Sequence, residues 1–272
     1  MLWGILLCVP IQSQVYVTSP LKPALVLVHG LGSAATIWKS LIPRLEDYFT
    51  IYPVDLPGHG EAGLAEGEKY DPKSLARMIL DFMKNEYGVE SMHVAGNSLG
   101  GWIALEMAAL DPDAVKSVTG LAPAGLWINQ PKRRFAPSAD ARILSKIFQY
   151  LIPIAFHIPP LKAFGYRKIT HLWRELTYEE CRDSVVAMAR SKGFAPIWHA
   201  ANGKSFGSAI DSKVVVDVIF GDNDVMLPAR IAQEKSVLPP HAQWIVVDNC
   251  AHVIMWNYPQ MTADFIKTSA GI

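Results

Sequence analysis

Short apolar runs recur along this chain, separated by stretches in which apolar residues return every three or four positions. The runs Ala24–His29, Thr50–Asp55, Ser91–Ala95, Val115–Leu121, Val214–Phe220 and Gln243–Val247 have the length and continuity of buried strands. The stretches Ala34–Leu45, Lys73–Tyr87, Gly101–Leu110, Ala229–Leu238 and Met261–Thr268 carry helical spacing. Strand and helix alternate, which predicts an α/β domain with a mostly parallel, doubly wound sheet. Such sheets gather their functional loops at the carboxyl ends of the strands.

The alternation stops after Pro123 and resumes at Val214. Between them lie many aromatic and helix-forming residues but no apolar run of strand character. Pro131, Pro137, Pro153, Pro159, Pro160 and Pro196 cut the stretch into short helical pieces. The expected organisation is therefore a core of residues 1–124 and 207–272, with a helical cap inserted over 125–206. The apolar start of the chain, residues 1–12, reads as a first strand on the domain edge. The alternative is a signal peptide, but a basic start is missing, Pro10 interrupts the run and no small-x-small cleavage site follows.

Composition narrows the classes. Half of the 272 residues are hydrophobic and 18% are charged, enough apolar surface for a large core. Lysine plus arginine equals aspartate plus glutamate at 25 each, which argues against a nucleic-acid partner and against any general pull toward an anionic membrane. No stable membrane insertion is expected, and the oligomeric state is left open. Cys8, Cys181 and Cys250 lie far apart and suggest neither a disulfide framework nor a metal site, and cytoplasmic residence is the expectation. Cys250 reads as a small apolar residue after a buried strand rather than as a nucleophile.

Chemistry concentrates in Gly96-Asn97-Ser98-Leu99-Gly100-Gly101, a Gly-x-Ser-x-Gly run between a strand and a helix. On such a turn the serine backbone is strained and its hydroxyl projects at the sheet edge. A hydroxyl needs a general base and a group that orients the base. His252, just after the last apolar run, stands at the carboxyl edge, whereas His241 precedes that run and falls at the opposite end. The acid is expected in the loop after Val214–Phe220, where Asp224 is preferred over Asp222, with Asp248 third. Developing negative charge on a carbonyl oxygen needs fixed N–H donors. The amide of Leu99 is one, and the amide of Leu31, in His29-Gly30-Leu31-Gly32, is the second. His29 and His59 read as loop braces.

These motifs resemble the α/β-hydrolase superfamily, in its serine-nucleophile form with a helical cap. His29-Gly30-Leu31-Gly32, Asp55-Leu56-Pro57-Gly58-His59-Gly60, the elbow at Ser98, Gly221-x-x-Asp224 and the late His252 match in order and spacing. The resemblance spans residues 24–266 outside the cap. It departs from the pattern at Ala251, where a glycine is common, and at Glu61-Ala62 after the Gly-His-Gly turn. It implies an α/β-hydrolase fold, Ser98 as nucleophile, Asp224 as acid, His252 as base, Leu31 and Leu99 as oxyanion donors, and no metal or other cofactor.

A serine at the elbow argues against dehalogenase and epoxide-hydrolase chemistry, which the superfamily runs with aspartate. Hydrolysis of a small to medium hydrophobic carboxylic ester comes first. Hydrolytic carbon–carbon cleavage of a dienoic ring-fission product is the alternative, since Asn97 and the double glycine occur there too. A non-catalytic ligand-binding receptor of the same fold comes last. Trp127, Phe194, Trp198, Met226 and Val253, with Phe135, are the expected lining of an apolar substrate site. Lys132-Arg133-Arg134 reads as a solvated charge run.

Overall fold

The computed structural model describes residues 11–13, 22–129 and 139–272, with side chains from 142 onward in the last segment. Phe135, the Lys132–Arg134 run, Cys8 and most of the apolar start lie outside the described residues. Seven strands form one sheet: β1 (Gln12–Ser13), β2 (Ala24–Val28), β3 (Thr50–Asp55), β4 (Met92–Asn97), β5 (Val115–Leu121), β6 (Val215–Gly221) and β7 (Gln243–Val247). Their order is β1-β3-β2-β4-β5-β6-β7, and only β1 runs antiparallel to its neighbour. Every residue of β2 and β3 is buried, as expected of central parallel strands covered on both faces. β7 is the open edge, and there Trp244 stacks on Phe220. Ile11, next to β1, is buried in the core.

Helix α1 (Pro72–Tyr87) has a complete set of end signals. Asp71 accepts the Ser74 amide at the start, Pro72 occupies the first turn, and Gly88 closes the end at φ 64°. Helix α2 (Leu99–Leu110) is buried from Leu99 through Ala108, having sheet on one side and α1 on the other. After the short α8 (Ile254–Asn257), helix α9 (Pro259–Ser269) closes the domain against β5 and β6.

Two expected helices are broken. Residues 34–45 form two short 3₁₀ turns, Ala35–Trp38 and Ile42–Arg44. Pro43 removes an amide in mid-stretch, and the Asp55 carboxylate takes the Ala35 amide at 2.7 Å. Residues 229–238 divide into α7 (Ala229–Ala232) and a 3₁₀ turn at Lys235–Val237. There the Glu234 side chain captures the Ser236 amide and hydroxyl, a local competitor to helical bonding.

Between β5 and β6 lie α3 (Ala139–Ala155), α4 (Pro159–Tyr166), α5 (Tyr178–Arg190) and α6 (Phe194–Ala201). The two ends of this insertion meet. The Phe206 amide donates to Gly125 O at 2.9 Å, and Trp127 Nε1 donates to Lys204 O at 2.9 Å. Helix α5 starts with a reciprocal capping box between Thr177 and Glu180 and packs on α3. Among the described residues no helix is long and apolar enough to cross a membrane.

Candidate active site

Strands β2, β4, β6 and β7 run parallel, so the loops that follow them open at one edge of the sheet. Ser98 follows β4 at φ 56° and ψ −116°, a conformation an L-residue adopts only under constraint, at a cost of about 1–3 kcal/mol. Three backbone bonds hold it. Its amide donates to Leu121 O at 2.9 Å, and its carbonyl accepts from Ala124 N at 2.9 Å and Trp102 N at 3.2 Å. The elbow closes because its glycines permit it. A Cβ on Gly96 would be driven into the Gly100 carbonyl, and one on Gly100 into the Val28 carbonyl.

Asp224 lies in the loop after β6 and His252 in the loop after β7, both buried. Asp224 Oδ2 and His252 Nδ1 are 2.7 Å apart. The other oxygen, Oδ1, accepts the amides of Met226 at 2.8 Å and Leu227 at 2.9 Å. Burial alone would raise the Asp224 carboxyl. The nearby charge and hydrogen bond of His252, with the two amides, outweigh it, and the group sits below its ordinary range. A carboxylate so held favours the proton on His252 Nδ1, and in that tautomer Nε2 can accept a proton.

Asp222 is placed differently. It is exposed and accepts the Cys250 amide at 3.1 Å, which braces the loop leading to His252. Asp248 offers its backbone carbonyl to the Tyr258 hydroxyl at 3.3 Å. Cys250 is buried, and burial first, then the charges of Asp222 and Asp224, push its thiol up to about 12. A thiol so protonated is no nucleophile.

The Leu99 amide opens α2, where amides lack helical partners and the helix dipole favours negative charge. The Leu31 amide belongs to a turn closed by Ser33 N on Gly30 O at 3.2 Å. Among the described residues neither amide is given to another group. Gly30 faces Ser98: a Cβ there would lie 3.3 Å from the Ser98 Cβ.

Two buried histidines shape this turn. His59 Nε2 accepts the Gly32 amide at 3.1 Å while its Nδ1 bonds Pro57 O at 3.0 Å. His29 Nε2 accepts the Leu56 amide at 3.1 Å while its Nδ1 bonds Gly30 O at 2.7 Å. Because a backbone N–H can only donate, both rings must be neutral with the proton on Nδ1. Burial is the main cause that holds His29 down to about 4 and His59 to about 3. Beside them, Asp55 takes the amides of Ala35 and Glu61, and its burial pushes its carboxyl above the ordinary range.

The insertion reaches both sides of the site. Phe194 and Met188 cover Gly32: a Cβ there would lie 2.7 Å from Met188 Cε and 3.1 Å from Phe194 Cδ2, and the φ of +76° strains any side chain besides. The Gly193 amide donates to Gly58 O at 3.1 Å. On the other side Val253 N donates to Ile169 O at 2.9 Å. Asn257 Oδ1 accepts Thr170 Oγ1 at 3.0 Å and His171 N at 2.9 Å, while its Nδ2 holds Val253 O at 2.9 Å. Thus Phe194 and Val253 stand at the two loops that carry Leu31 and His252. Met226 is more than a third exposed, and its amide serves Asp224. Trp198 is half-buried on α6, and the indole N–H of Trp127 is committed to the base of the insertion.

Of the two asparagines that tie the site together, Asn97 is legible only in part from the sequence. Asn97 Nδ2 bonds Leu121 O at 3.0 Å and His252 O at 3.2 Å, which links the elbow to the backbone of the histidine. Its place beside Ser98 was a signal, but its partners lie far along the chain. Asn257 carried no signal at all.

The profile of the alpha/beta hydrolase family matches residues 25–265. The chain belongs to this family. A pimeloyl-[acyl-carrier protein] methyl ester esterase of Aromatoleum aromaticum is 25% identical over 259 residues, covering 90% of this chain and 97% of the relative. The enol-lactonase of Burkholderia xenovorans LB400 superposes with a TM-score of 0.74 at 17% identity, over 96% of each chain. A meta-cleavage product hydrolase of Pseudomonas fluorescens IP01 gives 0.70 at 17% identity, over 96% of this chain and 94% of that one. At such identities the two structures speak for the fold, and this alpha/beta hydrolase shares it from edge to edge.

Proposed function

We propose that this alpha/beta hydrolase cleaves a small to medium hydrophobic carboxylic ester through an acyl-enzyme on Ser98. The observation that carries the reading is the buried Asp224–His252 pair at 2.7 Å, placed at the sheet edge where Ser98 is held strained. In this reading His252 Nε2 takes the Ser98 proton as Oγ attacks the carbonyl, and returns it to the leaving alcohol. Asp224 keeps the imidazole oriented and stabilises its charged form. The amides of Leu31 and Leu99 receive the oxyanion. Water then attacks the acyl-enzyme, again through His252, and no metal or other cofactor takes part.

Phe194 and Val253 are proposed as the near wall of the substrate site, with Met226, Trp198 and Trp127 further out on the loops and the insertion. Residues 125–206 act as its cap. The buried free thiols of Cys181 and Cys250 support a reducing compartment, and we place the protein in the cytoplasm. Carbon–carbon hydrolysis remains the second reading because Asn97 stands beside the nucleophile. Against it, both bonds of the Asn97 amide go to the protein itself.

The test is a panel of aryl esters of graded acyl length assayed beside a coloured dienoate. Ester turnover that peaks at short to medium chains and vanishes in Ser98→Ala is the expected result. Turnover of the dienoate alone would overturn the ester reading. Binding of the esters without turnover in the wild type would leave a receptor.

A further inference from the structure

Helix α3 turns an apolar face outward. Ile152 and Ala155 are buried on the side that meets α5, while Ile143, Ile147, Tyr150 and Ile154 face solvent. Their spacing of four, three and four puts them on one stripe. Helix α4 extends the surface with Phe164. Exposure reaches 58% at Ile147, 79% at Tyr150, 67% at Ile154 and 68% at Phe164. Scattered exposed leucines need no explanation, but a contiguous ridge of this kind marks a surface that is covered in use.

Charge decides by what. The chain as a whole is neutral, yet between Ala141 and Lys168 there is no aspartate or glutamate. Lys146 is exposed on α3, and Arg167 and Lys168 are exposed just past the end of α4. On α5, which packs against α3, Glu180 is used in the Thr177 cap and Asp183 is paired with Lys39 and Arg182, which leaves Glu179 as the exposed carboxylate of that helix. A second copy docked by a two-fold axis would set this basic ridge against itself. We infer that the α3–α4 face docks the protein on an anionic lipid bilayer, with the apolar stripe in the interface and the cations among the headgroups. Aromatic Tyr150 and Phe164 suit that depth. The attachment is peripheral, of the kind made by helices lying in the interface plane. A balanced total charge hides it because the asymmetry is local.

The full-length protein is titrated with vesicles of phosphatidylcholine alone and of phosphatidylcholine with about one third phosphatidylglycerol. Three cations near the surface should favour the anionic vesicles by up to about a hundredfold, and the preference should shrink at high salt. The I147E/I154E double variant should lose at least tenfold of the binding with its melting temperature unchanged, since both positions are exposed. K146E/R167E/K168E should abolish the anionic preference. Equal binding to both vesicle types, no binding by the wild type, or binding indifferent to both variants would overturn the inference. So would a dimer in sedimentation velocity that I147E/I154E dissociates.

Discussion

Beneath Ser98 the buried polar groups of the loops at the carboxyl edge of the sheet have named partners. Gly32 N goes to His59, Leu56 N to His29, Ala35 N to Asp55, and both oxygens of Asp224 are occupied. On α3, in the insertion between β5 and β6, isoleucines stand exposed to water. Both regions spend stability, in opposite currencies. The loops fix a strained serine and two neutral histidines by pairing the amides of Gly32, Leu56 and Ala35 while leaving those of Leu31 and Leu99 open, because in a dry site an unmatched donor costs about 1–3 kcal/mol. The outer face of the insertion leaves apolar surface exposed, and that is tolerable only where something other than folding makes use of it. Position in the sheet therefore marks the residues to which we assign the chemistry, and exposure those to which we assign an encounter.

The comparison can be broken most strongly at Ser98 and its partners. Asp224→Asn should lower kcat/KM for an aryl ester by roughly ten-thousandfold, about 5 kcal/mol of transition-state stabilisation, through the wrong imidazole tautomer. Asp222→Asn should cost less than about tenfold, because it braces the loop without touching His252. Comparable losses in initial rates for the two variants would remove Asp224 from the site.

Next comes packing. Phe194, 2% exposed and seated on Gly32, should cost about 3–5 kcal/mol on truncation to alanine, measured by chemical denaturation. Part of that loss should appear in kcat, since Phe194 also walls the turn that presents the Leu31 amide. An unchanged kcat in the folded variant would mean that the turn is set from below alone.

Acid should then find the two histidines. Their folded pKa values, about 4 and about 3, lie below the unfolded value of 6.5. The unfolded chain therefore binds protons first as pH falls. The stability from keeping them neutral is complete above about pH 6.5 and is lost down to about pH 4 for His29 and pH 3 for His59. At pH 5 each should have cost on the order of 2 kcal/mol relative to pH 7. Denaturation midpoints at the two pH values check this, and His59→Gln should roughly halve the difference. A variant with the full wild-type slope would assign the acid sensitivity elsewhere. The smallest expected effect is Ile154→Ala, within about 0.5 kcal/mol, because a residue this exposed loses little on truncation. A cost near that of Phe194→Ala would mean that the face is covered in the free protein.

Much of this architecture was legible along the chain. β5 and β7 coincide with their apolar runs, and β4 and β6 differ only at their ends. Ser98, Asp224 and His252 each stand out in the sequence by their place after a strand. The stretches 34–45 and 229–238 misled, because helical spacing survives where Pro43 or the Glu234 side chain diverts the backbone bonding. Asn257 and Met188 were invisible: Met188 lies far from the elbow, the acid and the histidine in sequence, and Asn257, although five residues after His252, belongs to no motif. Their partners, Thr170 and Gly32, sit 87 and 156 residues away along the chain (257 − 170; 188 − 32). The apolar ridge on α3 has a helical rhythm that reads equally as a core-facing stripe.

What the sequence determined by itself is local and directional: where strands end, which glycines let an elbow close, and in what order serine, acid and histidine follow. Backbone sterics and hydrophobic periodicity act over a few residues, so they are written in a few residues. Only the tertiary structure decided which carboxylate meets His252, that His29 and His59 are neutral acceptors for backbone amides, and that one helix of the insertion shows its apolar side to solvent. Those outcomes depend on burial and on donors brought from distant segments, and burial is a property of the packed chain.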